Sequence, residues 1–230
     1  MARELTIYTF RRKPSAALEF YTFVTMGKNN FKIYGITLSV LIICSLLLCP
    51  GKVAAQNGTY EKKNGDGSYC YISLHKTGAH IKAEIFAWWN TPSAQTGSYY
   101  GEGTLRSNSC LLQSDENDPA CRVSLTLSDK TVKASFGSCM TDRLPEEFNG
   151  IYNKITDAIA GDYTVSPAKS YFYKRPLAGS RLKSYLLRGD RVTLNLDRLT
   201  AGKWVYVYYT SPTGKETSGY IPLADLKKAE

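Results

Sequence analysis

The residues with the clearest binding chemistry in this sequence are aromatic side chains near its C-terminal end. Trp204, Tyr206 and Tyr208 alternate with other residues in a strongly β-forming run, so they share one face of the predicted strand. Val205 and Val207 share the opposite face, which is better suited to a core. We therefore expect the aromatic face to be exposed to ligands.

Aromatic rings flanked by cations form a binding surface, because rings supply stacking area and Arg or Lys supplies charged donors for carboxylates or phosphates. The expected ligand-binding residues are Tyr171, Tyr173, Trp204, Tyr206, Tyr220, Arg175, Arg181, Lys183 and Arg188. The alternative interpretation is a solvated basic surface on a purely structural module.

Four cysteines follow residue 55, namely Cys70, Cys110, Cys121 and Cys139. An even number in a small exported chain predicts two disulfides, with three possible connectivities. Cys121 and Cys139 flank a predicted hairpin, so we expect them to pair, which leaves Cys70 with Cys110 by elimination. Metal binding is the rival interpretation, but no Cys-x-x-Cys pair occurs and the chain has only 2 histidines. We expect neither a metal nor another cofactor.

Catalytic motifs do not occur in the sequence. There is no phosphate-binding glycine loop, His-rich metal motif or dinucleotide fingerprint, and neither histidine lies near a recognisable nucleophile motif. A carboxylate pair for glycoside cleavage stays open, because any two acidic residues can converge in a fold. We expect a protein that is not an enzyme.

A secretory signal peptide is predicted within residues 1–55. Lys28 and Lys32 precede an apolar run at residues 36–49, and small residues lead to a cleavage site after Ala55. The apolar run is shorter than the ~20 residues that span a bilayer comfortably. We therefore expect a periplasmic, secreted or cell-surface protein with no integral membrane span after cleavage.

Two alternatives to a cleaved leader stay open. One is an uncleaved anchor, and the other is lipidation at Cys49, although Leu48 replaces the small residue expected before a lipidated cysteine. The well-formed part of the leader begins at Met26, where we expect translation to start.

The positive charge is concentrated in two parts of the chain. Of the formal net charge of +9, residues 1–55 carry +5, residues 56–158 carry −2 and residues 159–230 carry +6. A basic domain favours nucleic acid, an anionic membrane surface or an acidic glycopolymer. Export disfavours nucleic acid, so we expect none as a partner.

Alternating apolar and polar residues predict an all-β chain with two small antiparallel barrel or sandwich domains, at residues 56–158 and 159–230, joined by a short linker at residues 158–162. The sequence Asn-Gly-x-Tyr occurs at residues 57–60 and again at residues 149–152. These repeats lie where the first and last strands of a closed barrel would pair.

The second domain resembles bacterial Src-homology-3-like domains. The resemblance rests on Lys169-Ser170-Tyr171-Phe172-Tyr173, Gly189-Asp190 before Val192, Trp204-Val205-Tyr206-Val207, and Gly219-Tyr220-Ile221. Relatives usually carry Trp at the position of Tyr220. The resemblance implies a five-stranded, partly open barrel that binds cell-wall peptide or glycan, or serves as an interaction module.

The first domain resembles exported bacterial β-barrels, some of them of lysozyme-inhibitor type, through its Asn-Gly-x-Tyr repeats and its cysteines. Three functions follow as hypotheses. The leading one is a non-catalytic adaptor whose C-terminal domain binds peptidoglycan or an envelope protein. The second is an inhibitor of a wall-degrading hydrolase such as lysozyme, which would present residues 88–101. The third is a structural subunit of an envelope complex.

Overall fold

The structure, a computed structural model, describes residues 56–229. The predicted signal peptide, its cleavage site and the expected start at Met26 lie outside the described residues. Within residues 56–229, no helix is long and apolar enough to cross a membrane.

Eight antiparallel strands form the first sheet, in the order β4-β3-β2-β1-β8-β7-β6-β5. They are β1 (Gly58–Lys63), β2 (Tyr69–Thr77), β3 (His80–Trp88), β4 (Thr96–Thr104), β5 (Ser109–Leu112), β6 (Arg122–Leu127), β7 (Thr131–Gly137) and β8 (Gly150–Thr156). Seven antiparallel strands form the second sheet, in the order β11-β10-β14-β13-β12-β9-β15. They are β9 (Gly161–Val165), β10 (Lys169–Tyr173), β11 (Arg181–Leu187), β12 (Arg191–Leu194), β13 (Trp204–Thr210), β14 (Glu216–Pro222) and β15 (Leu226–Lys228).

The all-β prediction with two antiparallel sheets is confirmed. Each sheet has its own hydrophobic core, one containing Tyr60, Phe136 and Tyr152, the other Phe172 and Val207. The second sheet has seven strands, where the resemblance to Src-homology-3-like domains implies five. Both cores belong to one compact unit of the chain.

The first sheet closes into a nearly complete barrel. Its first and last strands pair as the repeats predict, with Tyr60 opposite Lys154. At the other closure, which we call the seam, β4 and β5 meet through two backbone hydrogen bonds of 2.8 Å between Glu102 and Gln113. Gly103 permits this approach, because an added Cβ would lie 2.5 Å from the Leu111 carbonyl oxygen.

A local geometry recurs at the starts of three strands, where a glycine with positive φ is followed two residues later by a buried tyrosine. It occurs at Gly58 and Tyr60 in β1, at Gly150 and Tyr152 in β8, and at Gly161 and Tyr163 in β9. Each tyrosine hydroxyl donates a 2.7 Å hydrogen bond to the carbonyl oxygen four residues earlier. The sequence repeat identified the first two sites, and the third begins the second sheet.

The segment predicted to be a linker is packed rather than exposed. Ala158 and Ile159 are buried in the second core, because their side chains are apolar. The Ala158 carbonyl accepts a 2.7 Å hydrogen bond from the Thr59 hydroxyl, and the Ala160 N–H donates one of 2.7 Å to the Ser73 hydroxyl. The segment therefore attaches the second sheet firmly to β1 and β2.

Only one of the two predicted disulfides forms. Cys121 and Cys139 are bonded, whereas Cys70 and Cys110 are free, so the predicted Cys70–Cys110 bridge is wrong. Cys70 lies in β2 and Cys110 in β5, with β3 and β4 between them. Three strand spacings of about 4.8 Å separate them along the sheet, well beyond the Cα distance of about 6 Å that a disulfide spans.

Candidate functional site

Seven aromatic side chains lie on the four neighbouring strands β11, β10, β14 and β13, in three groups of contacting rings, and we call the whole set the aromatic strip. They are Tyr171, Tyr173, Tyr185, Trp204, Tyr206, Tyr208 and Tyr220. All the predicted aromatic site residues belong to this set. Tyr185 is exposed and the other six are half-buried, so each ring offers surface to a ligand.

Strand pairing places these rings next to each other. Tyr173 and Tyr206 are both register partners of Tyr220, which lies on the strand between them. The ring centroids of Tyr206 and Tyr220 are 5.1 Å apart, and those of Tyr173 and Trp204 are 4.8 Å apart, both edge to face. Edge-to-face pairs are favourable because the positive edge of one ring meets the negative face of the next.

The strip lies on the outer face of β13, as the alternation predicts. Val205 and Val207 point the other way and are buried in the second core, at 2% and 0% exposure. Tyr209, on the valine face, also packs against this core. The core therefore fixes the backbone under the strip, and the rings stand on a rigid support.

Three cations lie over rings of the strip. The Arg181 guanidinium is 4.7 Å from the centre of Tyr171, the Lys169 ammonium is 3.9 Å from Tyr185, and the Arg198 guanidinium is 5.1 Å from Tyr206. These distances fall within the range of cation–π attraction. The strip is therefore lined with positive charge that faces its ligand side.

The predicted cations are only partly brought to the strip. Arg181 joins it, whereas Arg175 and Lys183 are exposed on the neighbouring loop and strand. Arg188 donates a 3.0 Å hydrogen bond from Nε to the Ser166 carbonyl oxygen. All four are accessible to a charged ligand.

The predicted site residues omit Tyr185, Tyr208, Lys169 and Arg198, although alternation places Tyr208 on the same face as Trp204 and Tyr206. For Lys169 a signal was present, because it precedes Tyr171 by two residues and so shares its face. Tyr185 required the register, which sets it opposite Tyr171. Arg198 comes from the short 3-10 turn Leu196–Arg198, and no local pattern points to it.

Hydrogen bonds orient two tyrosines of the strip. Tyr208 donates to Oδ2 of Asp197 at 3.0 Å, and the Tyr206 hydroxyl lies 2.9 Å from the Ser218 hydroxyl. Burial, then the bond to Asp197, raises the pKa of Tyr208 to about 12, so the phenol stays neutral and keeps donating at physiological pH. The arrangement supports stacking and charge pairing with a ligand.

Two open clefts are lined by none of the seven rings of the strip. The larger, of about 1060 Å³, follows the seam and is lined by His80, Tyr100, Glu102 and Arg106 among others. The smaller, of about 650 Å³, lies between the two sheets, and Phe86 is one of its lining residues. Within residues 56–229, no group of three or more His, Cys, Asp or Glu side chains is placed to hold a metal ion.

The carboxylate of Glu102 is strongly hydrogen-bonded at the seam. Lys82 lies 2.7 Å from Oε1, Tyr100 donates to the same oxygen at 2.7 Å, and His80 is 3.0 Å from Oε2. The bond from Lys82, followed by that from Tyr100, lowers the pKa of Glu102 from its ordinary value of 4.5 to about 2.

The seam should therefore lose stability in acid. A carboxyl group whose folded pKa is depressed stabilises the fold above its unfolded pKa and loses that contribution as the pH falls through the folded value. When the pH is lowered from 4.5 to 2, the urea midpoint of the unaltered residues 56–230 should decrease by more than the urea midpoint of the Glu102→Gln variant. Equal pH dependence of the two proteins would show that the seam network does not stabilise the fold.

The adjacent tryptophans point to opposite sides, as β geometry requires. Trp89 packs against the first core and donates a 3.1 Å hydrogen bond from Nε1 to the Arg143 carbonyl oxygen. Trp88 stacks on Tyr69 with ring centroids 5.3 Å apart. The outward tryptophan therefore groups with Tyr69, on the face of the barrel opposite to its core.

Comparisons with protein-family models, with curated proteins and with solved structures find no match for this chain.

Proposed function

We propose that this protein is an exported, non-catalytic binding protein of the cell envelope. Its C-terminal domain, of Src-homology-3-like type, engages cell-wall material or an envelope protein through the aromatic strip. The first, disulfide-braced barrel serves as an adaptor. The observation that carries the proposal is the strip of seven rings on four neighbouring strands, with cations over three of the rings.

The shape of the strip favours a polymer over a small molecule. Small ligands are usually enclosed in a concave pocket, whereas the strip crosses four neighbouring strands on the outside of a sheet. Three strand spacings of about 4.8 Å give it a length of roughly 14 Å, to which the rings themselves add. An extended peptide or glycan chain can stack along such a surface.

The charge of the strip favours a ligand with carboxylates or phosphates. Lys169, Arg181 and Arg198 keep their charged ends close to rings, where a ligand anion can pair with them without large rearrangement. Peptidoglycan combines sugar rings with peptide carboxylates, so it offers partners to both kinds of side chain. The sequence resemblance points to the same ligand class.

The test is sedimentation of residues 56–230 with purified peptidoglycan sacculi. We expect retention of the unaltered protein and at least a tenfold drop for Trp204→Ala with Tyr206→Ala, since central aromatic residues dominate binding surfaces. Tyr100→Ala is the matched control, because Tyr100 is an exposed tyrosine of the first sheet. Thermal unfolding of each variant confirms that it folds.

Two other outcomes count against a wall-binding strip. Retention that disappears with moderate salt, yet is unchanged in the Trp204 and Tyr206 variant, assigns binding to the basic surface alone. No retention at any salt concentration rejects cell-wall material as the ligand and leaves an envelope protein.

Inhibition of a wall-degrading hydrolase is the second candidate. It is favoured by the nearly closed barrel of the first sheet, the architecture that the resemblance to inhibitor-type barrels implies. The test measures the turnover of several lysozyme types in the presence of excess protein. Normal turnover by every type rejects this function.

A further inference from the structure

Exposed apolar side chains are concentrated along one edge of the second sheet. Half of the exposed large hydrophobic residues in the described chain fall between residues 177 and 187: Leu177 at 55%, Leu182 at 38%, Tyr185 at 47% and Leu187 at 51%. Among residues 56–229, the strand β11 pairs only with β10, and six of its seven residues are exposed. We call residues 174–188 the basic edge.

The same edge carries an unbalanced positive charge. Residues 169–191 contain seven cations, Lys169, Lys174, Arg175, Arg181, Lys183, Arg188 and Arg191, and a single acidic residue, Asp190. That carboxylate accepts a 2.8 Å hydrogen bond from the Leu187 N–H. None of the ion pairs formed among residues 56–229 involves these cations. Five of these charges lie within the basic edge beside the exposed leucines and form no ion pair in the described chain, and one of the five, Arg181, also lies over a ring of the strip.

The loop that presents Leu177 satisfies its own backbone. The Ser180 hydroxyl oxygen lies 2.7 Å from the Arg175 carbonyl oxygen and 2.8 Å from that of Leu177, so its single hydrogen is shared between these acceptors, and it accepts a 3.0 Å bond from the Arg175 N–H. The Lys174 N–H donates to the Ser180 carbonyl at 2.9 Å. A loop with these polar groups already paired can enter a poorly hydrated layer at low cost.

Three kinds of occupant differ in how they fit this edge. A second copy of the chain would bring a cationic edge against a cationic edge. A peptide that adds as a strand needs a regular edge, but the pairing of β10 with β11 slips between Tyr171 and Tyr173. Leu177, Leu182 and Leu187 line neither of the two clefts, so no enclosed small-molecule site lies beneath them. An anionic bilayer surface needs only projecting apolar side chains and cations.

We propose that the basic edge docks this protein on an anionic membrane surface, with Leu177 and Leu182 entering the headgroup layer and the flanking cations meeting lipid phosphates. The inference goes beyond binding by the aromatic strip and does not depend on it. Each cation near an anionic surface strengthens binding by about fivefold. Each buried leucine strengthens it by about tenfold or more.

The test is co-sedimentation of residues 56–230 with phospholipid vesicles. We expect binding to vesicles of phosphatidylcholine and phosphatidylglycerol at 1:1, weakened by salt, and little binding to phosphatidylcholine alone. Leu177→Ser with Leu182→Ser should weaken binding at least tenfold, and Lys174→Glu should weaken it further. Leu111→Ser and Lys133→Glu are matched controls on the first sheet, where both residues are exposed.

Several results would overturn the proposal. These are absence of binding to anionic vesicles, equal binding to both vesicle types, and leucine variants that bind like the unaltered protein. Binding to soluble poly-glutamate but not to vesicles would assign the edge to an acidic protein partner instead. The leucine variants leave the aromatic strip intact. Measuring their retention on sacculi as well as their binding to vesicles therefore separates failure of the membrane proposal from failure of wall binding.

Discussion

Replacing Gly58 with alanine is expected to lower the free energy of unfolding by at least about 3 kcal/mol, because backbone strain and a collision coincide there. Gly58 has a φ of +140°, which side chains rarely adopt. An added Cβ would also collide with the Thr156 carbonyl oxygen of β8 and lie 2.5 Å from Cε of Lys154. Urea unfolding of residues 56–230 measures the change.

Three other glycines separate the two costs. Gly78 has a φ of +62° but open space around it, so Gly78→Ala tests the backbone alone. Gly97 lacks positive φ, but its added Cβ would collide with the Arg143 carbonyl oxygen, so Gly97→Ala tests the collision alone. Gly65 has neither feature, and Gly65→Ala should be nearly neutral.

The order of these effects is informative about barrel closure. If Gly58→Ala costs no more than Gly78→Ala, then β1 and β8 are not held together as closely as the structure shows. Gly161 differs from Gly58, because its added Cβ would meet only Nζ of Lys228, at 2.6 Å, and that flexible side chain can move away. The cost of Gly161→Ala therefore comes mainly from its φ of +103°. Its substitution should loosen the second sheet rather than the first.

Period-two alternation predicts much of this fold because it is a local property of each strand. It identifies the buried faces of β3, β6 and β7 and the valine face of β13. It fails on β2, whose residues Cys70 to Leu74 are buried on both faces. Ser73 on the outer face contacts Ala160 of the segment that joins the sheets, and this packing is not local in sequence.

Other features required geometry that a single sequence does not contain. Pairing Cys70 with Cys110 followed from counting, and counting carries no information on how many strands separate two residues. Residues 158–162 are predicted to be a linker, and the Ala-Gly-Asp-Tyr sequence at residues 160–163 lacks the asparagine that begins the two Asn-Gly-x-Tyr repeats. Its glycine and tyrosine nevertheless form the same strand start as the two recognised repeats.

The candidate site was likewise predictable from the sequence only in part. Alternation places Trp204, Tyr206 and Tyr208 on one face, and this part of the strip was predictable. Its continuation through Tyr220 and Tyr173 depends on strand order and register. No local pattern predicts the seam cleft, because it is a space between two strands that are distant in sequence. Glycines within a strand, such as Gly101 and Gly103, are nevertheless typical of a close backbone approach, and an added Cβ at either would lie within 3 Å of a backbone oxygen of the neighbouring segment.

Removing the Cys121–Cys139 disulfide is expected to cost about 3 kcal/mol in the free energy of unfolding, because the bridge closes a loop of 18 residues and so restricts the unfolded chain. The bridge also anchors a strained segment. Ser138 and Arg143 have positive φ without being glycine, and the Leu144 N–H donates a 3.0 Å hydrogen bond to the Cys139 carbonyl.

The measurement compares urea unfolding of Cys121→Ser with Cys139→Ser against the unaltered residues 56–230, followed by tryptophan fluorescence. Trp89 reports on this segment because its Nε1–H donates to the Arg143 carbonyl oxygen. Cys110→Ala is the control, since Cys110 is buried but free. A double variant as stable as the unaltered protein would show that the bridge is dispensable.

Thiol counting decides between one disulfide and two. Burial raises the pKa of the Cys70 thiol to about 12, and burial also raises that of Cys110, so neither should react with a thiol reagent in the folded protein. After unfolding without reductant, residues 56–230 should show two reactive thiols. Four would mean that Cys121 and Cys139 are unpaired, and none would mean that Cys70 and Cys110 pair after all, which requires the strands between them to rearrange.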